Sequence, residues 1–373
     1  MNGRCNMNVV ILGHFGGNKT FNDGQTVKTR TLYHALLSEG VVVYPLDTYD
    51  LRCHPLRFAW RFWSSLFSYK KYIVLLSANG RKFLFPVLYA LAKYMNKQIY
   101  HDSVGGRLAD EAAQNIRFKK QISAFAANWV ESPLIAKKLQ EQGVENAIYL
   151  PNFKEISPLT ASELPLRTSS PMRFCTFSRV MKEKGITDAI LALAELNQKK
   201  IRATLTVYGP VAVEYKTEFE QLCQKYDKFC TYGGVISPND SVAVLKNYDM
   251  LLFPTRYFRE GMPGTLIDAF CAGLPILARR WKYCDEMIAH LQTGLIYDFD
   301  KPQELKTWLN FAITHPKSES FLRFDGVYMP NEQAYKGDFS GGSKQTADFA
   351  IVLMGMKVLD DVYNVPLQFS VGI

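Results

Sequence analysis

Short apolar runs alternate with longer segments of helical spacing along most of this chain. Residues 8–13, Asn-Val-Val-Ile-Leu-Gly, are apolar enough for a buried first strand. Residues 26–37 place Val27, Leu32, Ala35 and Leu36 at helical spacing, and Gly40 closes the segment. Residues 41–46 and 72–77 predict two more strands. A helix over 82–94 and a fourth strand entered at 98–100 follow. Residues 128–132 and 147–150 fit two further short strands around a helix. Strands alternating with helices imply a parallel, doubly wound α/β sheet.

The pattern changes at residues 151–171, where Pro151, Pro158, Pro165 and Pro171 interrupt a stretch rich in Ser and Thr. This reads as a linker between domains. A second alternating series follows, with strands at 173–177, 203–208, 231–232 and 250–253. Its helices are expected over 186–198, 215–226 and 241–247. The 373 residues suit two domains. Near the end, residues 337–343 are rich in Gly and Ser. Residues 345–363 predict a helix with Phe349, Val352, Leu353, Met356 and Leu359 on one side.

Composition narrows the setting. Hydrophobic residues make up 47%, enough for full cores. No run of eighteen apolar residues occurs, so no spanning helix is expected. Residues 1–7 lack the apolar core and cleavage site of a signal peptide. The seven cysteines are odd in number and form no C-x-x-C, which predicts reduced thiols in a cytosolic compartment and no zinc site. The net charge of +9 favours an anionic partner.

Two stretches carry the candidate chemistry. Phe177-Ser178-Arg179-Val180-Met181-Lys182-Glu183-Lys184-Gly185 sets Arg179 and Lys184 five residues apart just after a strand. Glu260-Gly261-Met262-Pro263-Gly264-Thr265-Leu266-Ile267-Asp268 sets two acids eight residues apart across a turn into a helix. A guanidinium fork and a mobile ammonium suit a diphosphate, which also favours helix N-termini. Carboxylates suit the hydroxyls of ribose and sugar. The alternative is an ordinary charged surface segment beside a helix-capping acid and a buried Asp.

Together the two stretches resemble the donor site of the retaining glycosyltransferases of family 4, which have the GT-B fold. That family's pattern is a Glu, seven residues and a second Glu, preceded by G-R-x-x-x-x-K-G. Here Asp268 stands for the last acid and Ser178 for the Gly before the Arg. The run Asp268-Ala269-Phe270-Cys271-Ala272-Gly273-Leu274-Pro275-Ile276 resembles the family's E-A-x-A-x-G-x-P-V. The likeness covers roughly residues 8–310.

The resemblance implies two Rossmann-like domains facing a cleft, an acceptor-binding domain over 1–165 and a nucleotide-sugar-binding domain over 166–340. Residues 341–373 would form a helical tail that crosses back. It also implies that Arg179 and Lys184 neutralise the leaving diphosphate and that Glu260 binds donor-sugar hydroxyls. Asp268 would bind ribose, with Gly261, Met262, Pro263, Gly264 and Thr265 bringing backbone to the phosphate. No metal or other cofactor is expected, because no D-x-D is placed to hold one.

Other segments are more open. The loop His14-Phe15-Gly16-Gly17-Asn18 lies after the first strand. Gly16 and Gly17 either approach the donor diphosphate or make a plain turn; the spacing is not G-x-G-x-x-G. His101 and Asp102 end the fourth strand, where open α/β sheets place ligands. His101 is read as a catalytic candidate or a structural histidine, and Asp102 as the better general base. Asn79-Gly80-Arg81 reads as a turn with a solvated Arg.

Residues 52–71 carry five cations, no acid and many aromatics. Arg57, Trp60, Arg61, Phe62, Trp63, Lys70 and Lys71 suit a helix lying on an anionic membrane; a core-packing helix with a basic face is the alternative. No stacking platform or groove-reading helix supports a nucleic-acid partner.

The combined expectation is a retaining, metal-independent transferase that moves a sugar from a nucleotide-sugar to an acceptor hydroxyl. The expected acceptor is a polyprenyl-diphosphate-linked saccharide in bacterial surface-polysaccharide assembly (capsule, O-antigen or exopolysaccharide). The enzyme would sit peripherally on the inner face of the cytoplasmic membrane. A soluble transferase acting on a small metabolite, a NAD-dependent dehydrogenase and an inactive nucleotide-binding protein are the rivals.

Overall fold

The computed structural model describes residues 8–17, 23–154, 156–164 and 170–315. They belong to two compact units that divide between residues 155 and 156. The division falls inside the proline-rich stretch expected as a linker. Residues 156–164 pack on the second unit: Leu159 N donates to Cys271 O at 2.8 Å, and Leu164 lies against Gly273. The tail helix expected over 345–363 lies outside the described residues.

The first unit runs β1 (Asn8–Gly13), α1 (Gly24–Ser38), β2 (Val42–Asp47), α2 (Thr48–Cys53), α3 (Pro55–Ser68), β3 (Lys71–Val74) and α4 (Ala78–Tyr94). It continues with β4 (Gln98–Asp102), α5 (Leu108–Gln114), α6 (Ile116–Ser123), β5 (Ala127–Val130), α7 (Pro133–Glu141) and β6 (Ala147–Tyr149). Its six strands are parallel, in the order β2-β1-β3-β4-β5-β6. The inner strands are apolar because helices cover both faces of the sheet. Val9, Ile11, Ile73, Tyr100 and Trp129 build one core layer with Leu32 and Leu36 of α1.

The second unit runs β7 (Met172–Phe177), α8 (Ile186–Leu196), β8 (Ala203–Tyr208), α9 (Lys216–Lys225), β9 (Cys230–Gly234) and α10 (Ser241–Leu245). Then come β10 (Met250–Phe253), α11 (Gly264–Cys271), β11 (Ile276–Arg279), β12 (Gly294–Tyr297) and α12 (Glu304–Thr314). Its six parallel strands are ordered β12-β11-β10-β7-β8-β9. The order reverses between β7 and β10, and ligands of such sheets bind beyond the strand ends at that reversal.

Two helices depart from expectation. Residues 79–81 belong to the first turn of α4, which Ser77 caps by accepting from Gly80 N, and not to a separate turn. Arg81 is buried and bonded to Glu111 at 2.7 Å rather than solvated. Helix α1 buries Thr26, Lys28, Thr29 and Thr31 along with Leu32 and Leu36, while Val27 is half-buried. A buried lysine is not visible to hydrophobic periodicity.

Candidate functional site

The two charged stretches meet at the reversal of the second sheet. β7 ends at Phe177, and the chain passes through a one-turn 3₁₀ segment, Lys182–Lys184, to Gly185. Gly185 has φ +70°, and a Cβ there would stand 1.9 Å from the Pro254 carbonyl oxygen. Only glycine admits both that conformation and that approach. Pro254 follows β10, so the loops after β7 and β10 are pressed together. Gly209, after β8, approaches Ser178 in the same way: a Cβ on Gly209 would stand 1.9 Å from Ser178 O.

Within this junction the Lys184 ammonium forms an ion pair with Glu260 Oε1. Thr255, fully buried, donates through Oγ1 to the same carboxylate at 3.1 Å. Arg179 is exposed on the loop that leads to Lys184. Gly261 O accepts from Trp281 Nε1 at 3.3 Å, Met262 is buried, and Pro263 is the N-cap position of α11. Thr265 lies in the first turn of that helix, where its buried hydroxyl finds no partner among the described residues. Asp268 is fully buried and accepts from Ser241 Oγ at 2.9 Å. The arrangement offers a helix N-terminus, an exposed guanidinium and an ammonium that a carboxylate now neutralises. Such a set can bind an anion and hydroxyls together.

In the first unit the glycine loop is held by a residue that sequence reasoning did not single out. Asp47, at the end of β2, accepts from Phe15 N at 2.9 Å and Gly17 N at 2.7 Å. Gly16 and Gly17 both have positive φ. His14 Nδ1 pairs with Thr26 Oγ1 at 2.7 Å.

His101 and Asp102 are both buried and, as neighbours in β4, point to opposite faces of the sheet. The His101 ring is enclosed by Phe85 and Phe125, and Nδ1 pairs with Asn128 Oδ1 at 3.2 Å. Burial, with Arg81 and Lys28 nearby, lowers its pKa to about 3, so it is neutral. Asp102 accepts from Lys28 Nζ at 2.6 Å, and Lys28 also donates to Glu131 Oε1 at 3.2 Å. Glu131 Oε2 accepts from Gly105 N at 3.1 Å, which ties the loop after β4 to the end of β5. Burial raises the pKa of Asp102 to about 6 against the opposing pull of Lys28. Burial alone would lower the Lys28 pKa, but Asp102 and Glu131 together raise it. Lys28 and Glu131 were missed because their spacing with Asp102 exists only in three dimensions.

Residues 52–71 divide between α2, α3 and β3. In α3 the side chains of Leu56, Trp60, Trp63 and Phe67 are 86, 71, 63 and 75% exposed, whereas Phe58 and Leu66 are buried. Arg57 and Lys70 are exposed. Arg61 turns inward, donating to Pro45 O at 2.8 Å, and Phe62 stacks on Phe58. Lys71 is half-buried in β3, and burial lowers its pKa. Among the described residues no helix is long and apolar enough to cross a membrane.

Residues 166–323 match the family described as Glycosyl transferases group 1. That segment contains Arg179, Lys184, Glu260 and Asp268. An uncharacterized glycosyltransferase of Methanocaldococcus jannaschii is 22% identical over 225 residues, which cover 58% of this chain. The match spans about half of that relative, 53% of its length. Among solved structures, Anabaena HepE in complex with UDP is 15% identical, with a TM-score of 0.65, over 96% of this chain and 100% of that one. The sucrose-phosphate synthase of Thermosynechococcus elongatus is 15% identical, with a TM-score of 0.71, over 96% and 99%. At this identity the likeness establishes the fold, which is that of GT-B proteins.

Proposed function

We propose that this protein is a glycosyltransferase that moves a sugar from a nucleotide-sugar to an acceptor hydroxyl with retention of configuration. The observation that carries the reading is the Lys184–Glu260 pair at the strand-order reversal of the second sheet. The family match over residues 166–323 supports it, and so do the UDP and UDP-glucose complexes of the structurally similar HepE.

In this reading the donor diphosphate takes Lys184 from Glu260 and engages Arg179. The two cations then oppose the negative charge that grows on the leaving diphosphate, the largest kind of term in such catalysis. The freed Glu260 carboxylate accepts from sugar hydroxyls, kept in place by Thr255. The N-terminus of α11, at Gly264 and Thr265, faces the phosphates with its backbone amides. Asp268 is the ribose partner, and contact there requires displacing the groups that now cover its carboxylate. No metal has a part in the proposed mechanism. The loop at Gly16 and Gly17 is assigned to the donor diphosphate, and the end of β4 at Asp102 to the acceptor.

For the acceptor we propose a polyprenyl-diphosphate-linked saccharide at an anionic membrane surface. The solvent-facing stripe Leu56, Trp60, Trp63 and Phe67, flanked by Arg57 and Lys70, supports that choice.

The test is a thermal-shift panel of nucleoside diphosphates, nucleotide-sugars and NAD, with and without EDTA. A ligand of the folded state raises Tm with its occupancy. Stabilisation by one nucleoside diphosphate and its sugars, unchanged by EDTA, is expected. A shift with NAD alone, or with no nucleotide, refutes the reading.

A further inference from the structure

Lys184 and Glu260 are presented by two loops far apart in sequence, so something must fix their separation. A second charged pair lies beside them. Arg256 donates through Nε to Asp188 Oδ2 at 2.9 Å and through Nη2 to Asp188 Oδ1 at 2.5 Å. This is the two-pronged fork-to-carboxylate geometry, which constrains distance and orientation together. Asp188 stands four residues after Lys184, in the first turn of α8, and Arg256 stands four residues before Glu260. The pair therefore joins the two loops just outside the Lys184–Glu260 contact.

The backbone reinforces the same junction. Arg256 N donates to Glu183 O at 2.7 Å, next to Lys184. Tyr257 N donates to Thr255 Oγ1 at 3.1 Å, and Thr255 in turn holds Glu260. The Arg256 and Asp188 side chains are 35 and 22% exposed. At that exposure an ion pair adds little to global stability. Its geometry, and not its energy, is what the site can use.

We propose that Arg256 and Asp188 form a clip that positions Lys184 and Glu260 for the donor diphosphate. Arg256 is then a positioning residue and not a phosphate ligand. The proposal rests on the donor-site reading above, and it adds two residues that neither the sequence motif nor the family likeness supplied.

The two roles for Arg256 predict opposite results for Asp188. If Arg256 touched phosphate directly, Asp188→Asn would free it and raise the local positive charge, and nucleotide would bind as well or better. If the pair is a clip, Asp188→Asn breaks it and binding weakens although positive charge has increased.

The experiment is calorimetric titration of the full chain with UDP, GDP, ADP and dTDP, followed by the wild type's best ligand against variants. Asp188→Asn and Arg256→Gln are each expected to weaken binding by about tenfold, within the loss that a small misplacement can cause. Arg256→Lys, which can make one bond but not the fork, should fall between. The exchange variant Arg256→Asp with Asp188→Arg should recover most of the affinity. Melting temperatures should move little, which separates positioning from unfolding. Unchanged or tighter binding by Asp188→Asn overturns the clip while leaving the donor site intact, and so does an exchange variant worse than both singles. A wild type that binds none of the four nucleotides refutes the donor-site reading itself, and the clip with it.

Discussion

Lys184 and Glu260, 76 positions apart in sequence, are bonded to each other at the reversal of the second sheet. The proposed mechanism assigns this cation and this acid to different parts of the donor, and here they neutralise one another. This keeps two partly buried charges satisfied, since a lone buried charge is costly.

Replacing Lys184 by Met therefore has two effects. It removes the charge proposed to oppose the leaving diphosphate, and it leaves Glu260 bonded to Thr255 without that cation. Transfer should fall by about 10²–10³-fold, the usual loss for one electrostatic group aimed at transition-state charge. Circular dichroism should be unchanged. A turnover rate within a factor of two of wild type, measured by nucleotide release, would remove Lys184 from the mechanism.

Lys28 tests the other unit. Its side chain is 2% exposed and serves two carboxylates, Asp102 and Glu131. Lys28→Met takes from both buried acids the cation they share, which should cost about 3–5 kcal/mol. Asp102→Asn leaves the one-to-one pair of Lys28 with Glu131 and should cost less. Urea unfolding measures both. Equal midpoints for wild type and Lys28→Met would mean that the carboxylates find other partners.

The central strands were legible in the sequence because a strand covered on both faces must be apolar throughout. Arg179, Lys184, Glu260 and Asp268 could be singled out because their spacing within each loop is local and resembles the family's pattern. The pairing of Lys184 with Glu260 was not legible, because it depends on Gly185 approaching Pro254. Lys28 was invisible for a different reason. Its partners lie 74 and 103 positions away, and a polar residue on a helix reads as solvent-facing until those partners are placed. Arg81 misled in the same way, since Glu111 compensates its burial from another helix.

His101 gives a pH signature with a definite sign. Its pKa in the folded chain is about 3, against an ordinary 6.5. The neutral ring is favoured by folding, so its contribution is present above pH 6.5 and is lost as pH falls toward 3. Asp102 acts oppositely: with a pKa raised to about 6, it favours the folded chain as pH drops from about 6 to about 4. His101→Gln removes only the first effect. Between about pH 7 and pH 4 the wild type should lose roughly 2–3 kcal/mol more stability than the variant. Parallel pH–stability curves for the two would show that the ring charges in place.

The exposed stripe of α3 separates packing from surface binding within one helix. Trp60 and Trp63 face solvent, while Phe58, on the opposite side of the same helix, is buried at 4% exposure. Replacing Trp60 and Trp63 by Ser removes no core contact of consequence and should leave Tm within a few degrees. Phe58→Ala opens a cavity and should cost about 3–5 kcal/mol. If the stripe rests on lipid, the double Trp variant should lose flotation with vesicles containing anionic lipid, and Phe58→Ala should keep it while still folded. Wild-type flotation only with anionic vesicles would show that Arg57 and Lys70 contribute, and added salt should then weaken it. Failure of the wild type to float with either vesicle type would reject the membrane role and favour transfer to a soluble acceptor.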